Sequence, residues 1–491
     1  MSSRKPSGRQ HGDAAEPHGR HDATKQHQGI TAPGATRPMK GEDDQGGKMT
    51  PEMRTQMLQT QHRRTLWVYP AVLLLGVWLM CAPATFGYDS TDMTWSDLAS
   101  GALLVVLGLL SLHPHRLWAP WAACMVGLWL EFAPLALWAP SAAAYANDTL
   151  VGVLVIALTV LVPGMPGMML FMEHGPEVPP GWSYNPSSWL QRTPIIALGI
   201  VGWFVSRYLA AYQLGYLATA WDPIFGQGTM NILDSKVSRA WPISDAGFGA
   251  FAYTLEALMG FMGGPARWRT MPWMVTFFGI LVIPLGVVSI TLVVLQPVAV
   301  GSWCTLCLLT ALAMLIMIPL TVDEVVAMGQ FLARHRHEGE PFWEVFWQGG
   351  TEEGGGPDER SPSYIAPLDE SAAASMWGMD VPWSLLLCAL LGVWLMASPA
   401  VFESSSLADG DHLLGALIVT FAVIAMAEVT RALRFVNVLA GLWILAAPWL
   451  LGGTGTAAMW SHVVAGALVI LLSLPKGSAK ESYGSWEKII F

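Results

Sequence analysis

Two cysteines, Cys304 and Cys307, close the stretch Gly301-Ser302-Trp303-Cys304-Thr305-Leu306-Cys307 at the head of a long apolar run. A Cys-x-x-Cys pair can ligate a metal, exchange disulfides or pack inertly. A structural metal ordinarily takes four ligands. The chain offers no second such pair and no histidine near the first in sequence. The pair is placed to open a helix, just after Gly301 and Ser302. A thiol there faces the positive end of the helix dipole, which favours the thiolate, the form that attacks disulfides. The remaining cysteines, Cys81, Cys124 and Cys388, stand alone in apolar runs and read as packing material. On spacing alone, exchange and inert packing both stay open.

Other candidate chemistry is sparse. Arg207 and Glu256 fall inside apolar runs at comparable depth from the same end of their helices. Charges in a bilayer need partners, so the pair is expected to form a buried structural ion pair. A loop between them, Thr219-Ala-Trp-Asp-Pro and onward to Gly247, mixes aromatics, glycines and aspartates. Structureless loops of that length are commonly functional, and this one is placed to cover the Cys-x-x-Cys end. His11, His18, His21 and His27 lie in a polar leading segment and read as solvated low complexity.

The elements that must position these groups are apolar helices. The chain has 491 residues, 53% hydrophobic and only 13% charged, about half the charge of a soluble domain. Its apolar runs have the length that spans a bilayer as helix. The reading is an all-α polytopic membrane protein with about twelve spans in three four-helix blocks. No basic stripe of the kind nucleic acid requires is present. Residues 1–62 read as a disordered cytoplasmic tail, lacking the apolar core of a signal peptide. Residues 63–170 form a first four-span block, 185–332 a second and 377–476 a third. A charged, glycine-rich linker covers 333–376, and 477–491 is a closing cytoplasmic tail. Basic residues such as Arg192, Arg267, Arg334 and Arg431 recur in alternate loops. The positive-inside rule then puts both termini in the cytoplasm and the cysteine pair outside, a compartment that tolerates disulfides. That organisation is expected in a bacterial-type inner membrane.

The outer blocks repeat one pattern. Gly-Val-Trp-Leu-Met-Cys-Ala-Pro begins at Gly76, and related octets begin at Gly127, Gly392 and Gly441. Glycine permits close helix approach, tryptophan anchors at the interface, and proline ends or kinks a helix. These are packing devices. The pattern resembles the SPW-repeat membrane family, which implies no chemistry for either block.

The middle block resembles the vitamin K epoxide reductase family. Three features carry the resemblance: the loop Ile232-Leu-Asp-Ser-Lys-Val-Ser-Arg-Ala-Trp-Pro-Ile-Ser-Asp-Ala-Gly247, the helix Phe248-Gly-Ala-Phe-Ala-Tyr-Thr-Leu-Glu-Ala-Leu-Met-Gly260, and Trp303-Cys-Thr-Leu-Cys307 opening the fourth span. The resemblance implies a four-helix bundle around a quinone of the ubiquinone or menaquinone type, capped by an extracytoplasmic loop. It implies that Cys304 exchanges with an extracytoplasmic thiol-disulfide protein and that Cys307 faces the quinone. It also puts Asp245 near a quinone carbonyl and Phe248 on the pocket wall. The chain departs from the family in its loop, which lacks the family's second cysteine pair, and in Ala311, where some members have tyrosine. Electrons must then come directly from a partner protein. A non-catalytic membrane scaffold or sensor that has kept the bundle is the alternative. A transporter would need a polar pathway, and Arg207, Glu256, Glu131 and Glu428 are scattered over three blocks.

Overall fold

The computed structural model describes residues 51–113, 115–116, 118–160, 162, 175–363, 365–402, 407–451 and 455–490. The histidines of the leading segment lie outside these residues. The chain is already helical over α1 (Pro51–Arg64), which the sequence reading places in the tail.

Among the described residues twelve long helices follow. The first block is α2 (Val68–Phe86), α3 (Thr91–Ser111), α4 (Trp118–Ala136) and α5 (Ala142–Val160). The middle block holds α6 (Trp189–Gln213), the short loop helix α7 (Gly228–Leu233), α8 (Asp245–Phe261), α9 (Pro272–Leu295) and α10 (Thr305–His337). The third block is α11 (Trp383–Phe402), α12 (Ala408–Ile424), α13 (Arg434–Leu451) and α14 (Thr456–Ser473). Among the described residues 10 helices are long and apolar enough to cross a membrane. The other two, α8 and α12, have 17 residues each and complete their bundles. The protein is an all-α, multi-pass membrane protein.

The repeated octets act through their glycines and prolines. A Cβ on Gly76 would stand 2.6 Å from the Gly101 carbonyl oxygen, and one on Gly392 would stand 2.7 Å from that of Gly415. Backbone meets backbone at these crossings, so no side chain fits. Pro83, Pro134, Pro399 and Pro448 each lie in the closing turn of their helix. Proline is tolerated near a helix end, where few backbone bonds remain to be lost.

Far from the cysteine pair, both linkers and the C-terminal segment fold together. The strand β1 (Glu177–Val178) pairs antiparallel with β2 (Gly356–Pro357), and Trp182 bridges to Tyr483. Arg267 binds Glu324 at 2.6 Å and Arg269 binds Glu177 at 2.7 Å, both guanidinium groups being fully buried. Arg267 and Arg269 thus lie together at one end of the middle bundle.

Candidate redox site

α9 does not run straight into α10. It loosens into a π-helical turn, Gln296–Val300, that ends at Gly301 with φ 71°. That left-handed conformation suits glycine and turns the chain back over the bundle mouth. Ser302 and Trp303 follow, and Cys304, in extended conformation, is the N-cap of α10. Cys304 and Cys307 form a disulfide, with Cα atoms 5.3 Å apart. The Cys307 backbone N–H donates to Cys304 Sγ at 3.1 Å. The Cys304 N–H donates to the Gln296 side-chain oxygen at 2.9 Å. The pair therefore opens a helix, as its flanking residues imply.

One loop carboxylate holds this corner together. Asp222 accepts from the Thr305 N–H at 3.1 Å, from the Thr305 hydroxyl at 2.5 Å and from the Thr229 hydroxyl at 2.8 Å. It also accepts from the Phe225 N–H at 2.8 Å and the Ile224 N–H at 3.1 Å. A carboxylate at a helix N-terminus meets both free N–H groups and the positive end of the dipole. Burial pushes the Asp222 carboxyl upward, and these donors more than offset it, so it sits well below the usual carboxylate range. Loop and redox helix are stapled through this one side chain.

The loop also closes over Cys304. The Thr229 hydroxyl lies 3.5 Å from Cys304 Sγ, and Asn231 donates to the Ser302 hydroxyl at 3.2 Å. A Cβ on Gly228 would stand 1.9 Å from the Trp303 carbonyl oxygen. Cys304 is fully buried, whereas Cys307 is partly exposed.

Beneath the disulfide, a cavity of about 130 Å³ opens between α6, α8, α9 and α10. Cys307, Asp245, Tyr253, Ser206, Leu292 and Val293 are among its walls. Asp245 accepts from Ser238 at 2.7 Å, and Ser238 in turn accepts from Gln213 at 3.0 Å. The Tyr253 hydroxyl donates to the Thr310 carbonyl at 2.7 Å. Apolar walls with a few hydroxyls and one carboxyl suit a flat, apolar ring bearing carbonyl oxygens.

Two expectations need correction. Phe248 is not on the cavity wall. It stacks on Trp241 with centroids 6.5 Å apart and meets Phe251 at 6.0 Å. Asp245, Gly249 and Tyr253 share one face of α8, and Phe248 projects from a different one. Nor do Arg207 and Glu256 pair. Arg207 donates to Thr149 of the first block at 2.7 Å and lies 4.2 Å over the Tyr145 ring. Both oxygens of Glu256 are buried without a hydrogen-bond partner among the described residues. Gly199, Gly202 and Ser206 form the face of α6 that meets α8, and Arg207 is one step around the helix. Equal depth brought the two residues level and left their bearings different.

Asp222 and Thr229 carry the roof of the site, and only Asp222 left a trace in the sequence. Asp222-Pro223 marks a turn, and an aspartate that can bond its own loop backbone is a common turn device. Thr229 had no such signal.

Comparison with known families agrees with this geometry. Residues 193–322 match the vitamin K epoxide reductase family. Residues 66–162 and 382–476 each match the SPW repeat domain. No curated protein and no solved structure matches the chain. The vitamin K epoxide reductase match spans α6 to the middle of α10 and includes loop, cavity and disulfide. At the level of that family, it supports a membrane oxidoreductase that links thiols or disulfides to a quinone.

Proposed function

We propose that the protein oxidises the thiols of an extracytoplasmic partner through Cys304 and Cys307 and delivers the electron pair to a membrane quinone. The observation that carries this reading is a disulfide on the wall of an apolar cavity at the bundle mouth. The positive-inside pattern supports an extracytoplasmic site and cytoplasmic termini in a bacterial-type inner membrane.

The balance is two partner thiols and one quinone giving one partner disulfide and one quinol. A partner thiolate attacks Cys304 Sγ, forming a mixed disulfide and breaking the Cys304–Cys307 bond. Cys307 leaves as the thiolate. The second partner thiol resolves the mixed disulfide and frees Cys304. Quinone, when bound, supplies a two-electron, two-proton acceptor. Cys307, Asp245 and Tyr253 line the cavity that would take its ring. Cys304 then re-forms the bond to Cys307 as the electron pair departs. The loop between α6 and α8 carries no cysteine to relay electrons, so the partner must reach Cys304 itself. Because Cys304 is buried under Thr229, the partner must first lift the loop.

The test is to reduce the purified protein, add a soluble quinone and follow free thiols at both positions. Quinone-dependent loss of two thiols is expected, and Cys307→Ser should abolish it. In cells, Cys307→Ser should trap a mixed disulfide between Cys304 and the partner. A parent protein whose thiols survive quinone addition would leave a non-catalytic scaffold.

A further inference from the structure

The two SPW blocks are built alike, down to the groups buried in them. One constant offset in numbering relates Gly101 to Gly415, Gly127 to Gly441 and Gly152 to Gly466. Each of these glycines packs backbone to backbone in its own block. The same offset relates Asp97 of α3 to Asp411 of α12, and Asp148 of α5 to His462 of α14. All four are at least 97% buried, having exposures of 0%, 3%, 0% and 1%. The motif tryptophans point at these positions in both blocks. Trp78 donates to Asn147, the residue before Asp148, at 2.8 Å, and Trp394 donates to Ser461, the residue before His462, at 3.2 Å.

In the third block the pair is complete. His462 Nε2 lies 2.7 Å from Asp411 Oδ1, and His462 Nδ1 lies 2.8 Å from the Ala458 carbonyl oxygen. Both ring nitrogens face acceptors, and a neutral imidazole has one N–H to give. A further proton therefore belongs to the pair, on the ring or on Asp411. Ser398 donates to the other Asp411 oxygen at 3.3 Å.

In the first block the imidazole is replaced by a second carboxyl. Asp97 and Asp148 face each other. Among the described residues no donor satisfies either oxygen of Asp97 or Asp148 Oδ2, all of them buried, and the neighbouring Tyr88 hydroxyl is likewise unsatisfied. Asn147 donates to Asp148 Oδ1 at 3.3 Å. Glu131 of α4 adds a further acid nearby, and Arg207 acts on Glu131, donates to Thr149 and lies over the Tyr145 ring. Two carboxylates in one dry site cannot both stay ionised. Hard metal ions take six or more oxygens, and no metal-holding group is found here among the described residues.

We propose that Asp97 and Asp148 form a proton-binding site within the membrane, holding one shared proton where the third block holds its proton between Asp411 and His462. The first SPW block is then a carrier of an exchangeable proton, whereas the third has its proton fixed in the contact between Asp411 and His462. The site is close to the redox bundle. Thr149, next to Asp148, accepts from Arg207, and Ser206, next to Arg207, lines the cavity below the disulfide.

Infrared difference spectroscopy on the full-length protein in lipid nanodiscs tests this, with carbon-13 aspartate and choline as the only buffer cation. At neutral pH, Asp97→Asn/Asp148→Asn should lose the signal of one protonated and one ionised aspartate. Asp148→His copies the packing of the third block. It should fold even where the double variant does not, and should lose the signal of a single aspartate. Loss of two ionised aspartates, or of two protonated ones, would overturn the shared proton. Disappearance of the protonated band when sodium replaces choline would make this a metal-cation site and overturn it equally. Quinone-dependent thiol oxidation is measured separately, so failure of the redox reading leaves this result intact.

Discussion

At the scale of single residues, Asp222 fastens the loop that covers Cys304. Its carboxylate joins the loop to the first turn of α10 through Thr305 and Thr229. Hydrogen bonds to a charged group contribute about 1.5–3 kcal/mol each, and about 1.4 kcal/mol is a factor of ten in an equilibrium. Asp222→Asn keeps the shape and removes the charge. In reduced protein it should raise the alkylation rate of Cys304 by about tenfold or more. An unchanged rate would mean that the loop opens by another route. The pH dependence has a definite sign. Burial raises the Asp222 carboxyl and its donors lower it further than burial raises it. A depressed carboxylate contributes its stability above its unfolded value, about 3.9, and loses it as pH falls toward the folded value. Alkylation of Cys304 should therefore stay closed to acid down to about pH 4 and open below that, once corrected for the thiolate fraction. Asp222→Asn should show no such opening. The cysteine pair was legible because a motif at a helix start is local information. The bearing of Arg207 was not, because depth along a helix says nothing of azimuth.

At the scale of elements, close approach of backbones sets the positions of the loop and the repeat helices. α7 presses on the segment before Cys304 at Gly228, where an added Cβ would meet the Trp303 carbonyl oxygen. That oxygen belongs to the backbone and cannot swing aside. Overpacking of this kind costs about 1–3 kcal/mol. Gly228→Ala should displace α7, expose Cys304 to alkylation and weaken the Thr229 contact. Gly329→Ala, with nothing within 4 Å, is the matched control and should leave alkylation unchanged. Equal behaviour of the two variants would place the loop elsewhere. Helix positions were largely readable from apolar runs, since the bilayer demands continuous apolar length. The starts of α3 at Thr91 and of α5 at Ala142 were not, because polar and small residues dilute the hydropathy there. The run of α10 on to His337 was hidden in the same way by its charged last turns.

At the scale of the whole molecule, the C-terminal segment ties the third block to the redox bundle. The sequence reads residues 477–491 as a tail, since nothing in their polarity reveals a partner far away in the chain. Yet Tyr483 is fully buried, edge-on to Trp182 with centroids 5.0 Å apart. Its carbonyl accepts from Gln330 of α10 at 2.9 Å, and its hydroxyl donates to Glu428 at 2.9 Å. Glu428 also receives the Lys480 N–H at 2.9 Å, and Arg360 of the second linker pairs with Glu481. One short segment thus touches α10, both linkers and the turn between α12 and α13. Truncating a buried aromatic costs about 3–5 kcal/mol, and removing one buried hydrogen-bond partner costs about 1–3 kcal/mol. Tyr483→Ala should therefore lower the thermal unfolding midpoint clearly more than Tyr483→Phe, which keeps the ring and leaves Glu428 one donor short. If the segment is a tie between blocks, proteolysis of Tyr483→Ala should also cut the linkers around Glu177 and Gly356 before the helices, because their short pairing loses its support. Midpoints for both variants equal to that of the parent, with linkers as resistant as before, would leave the segment around Tyr483 with no part in holding the blocks together.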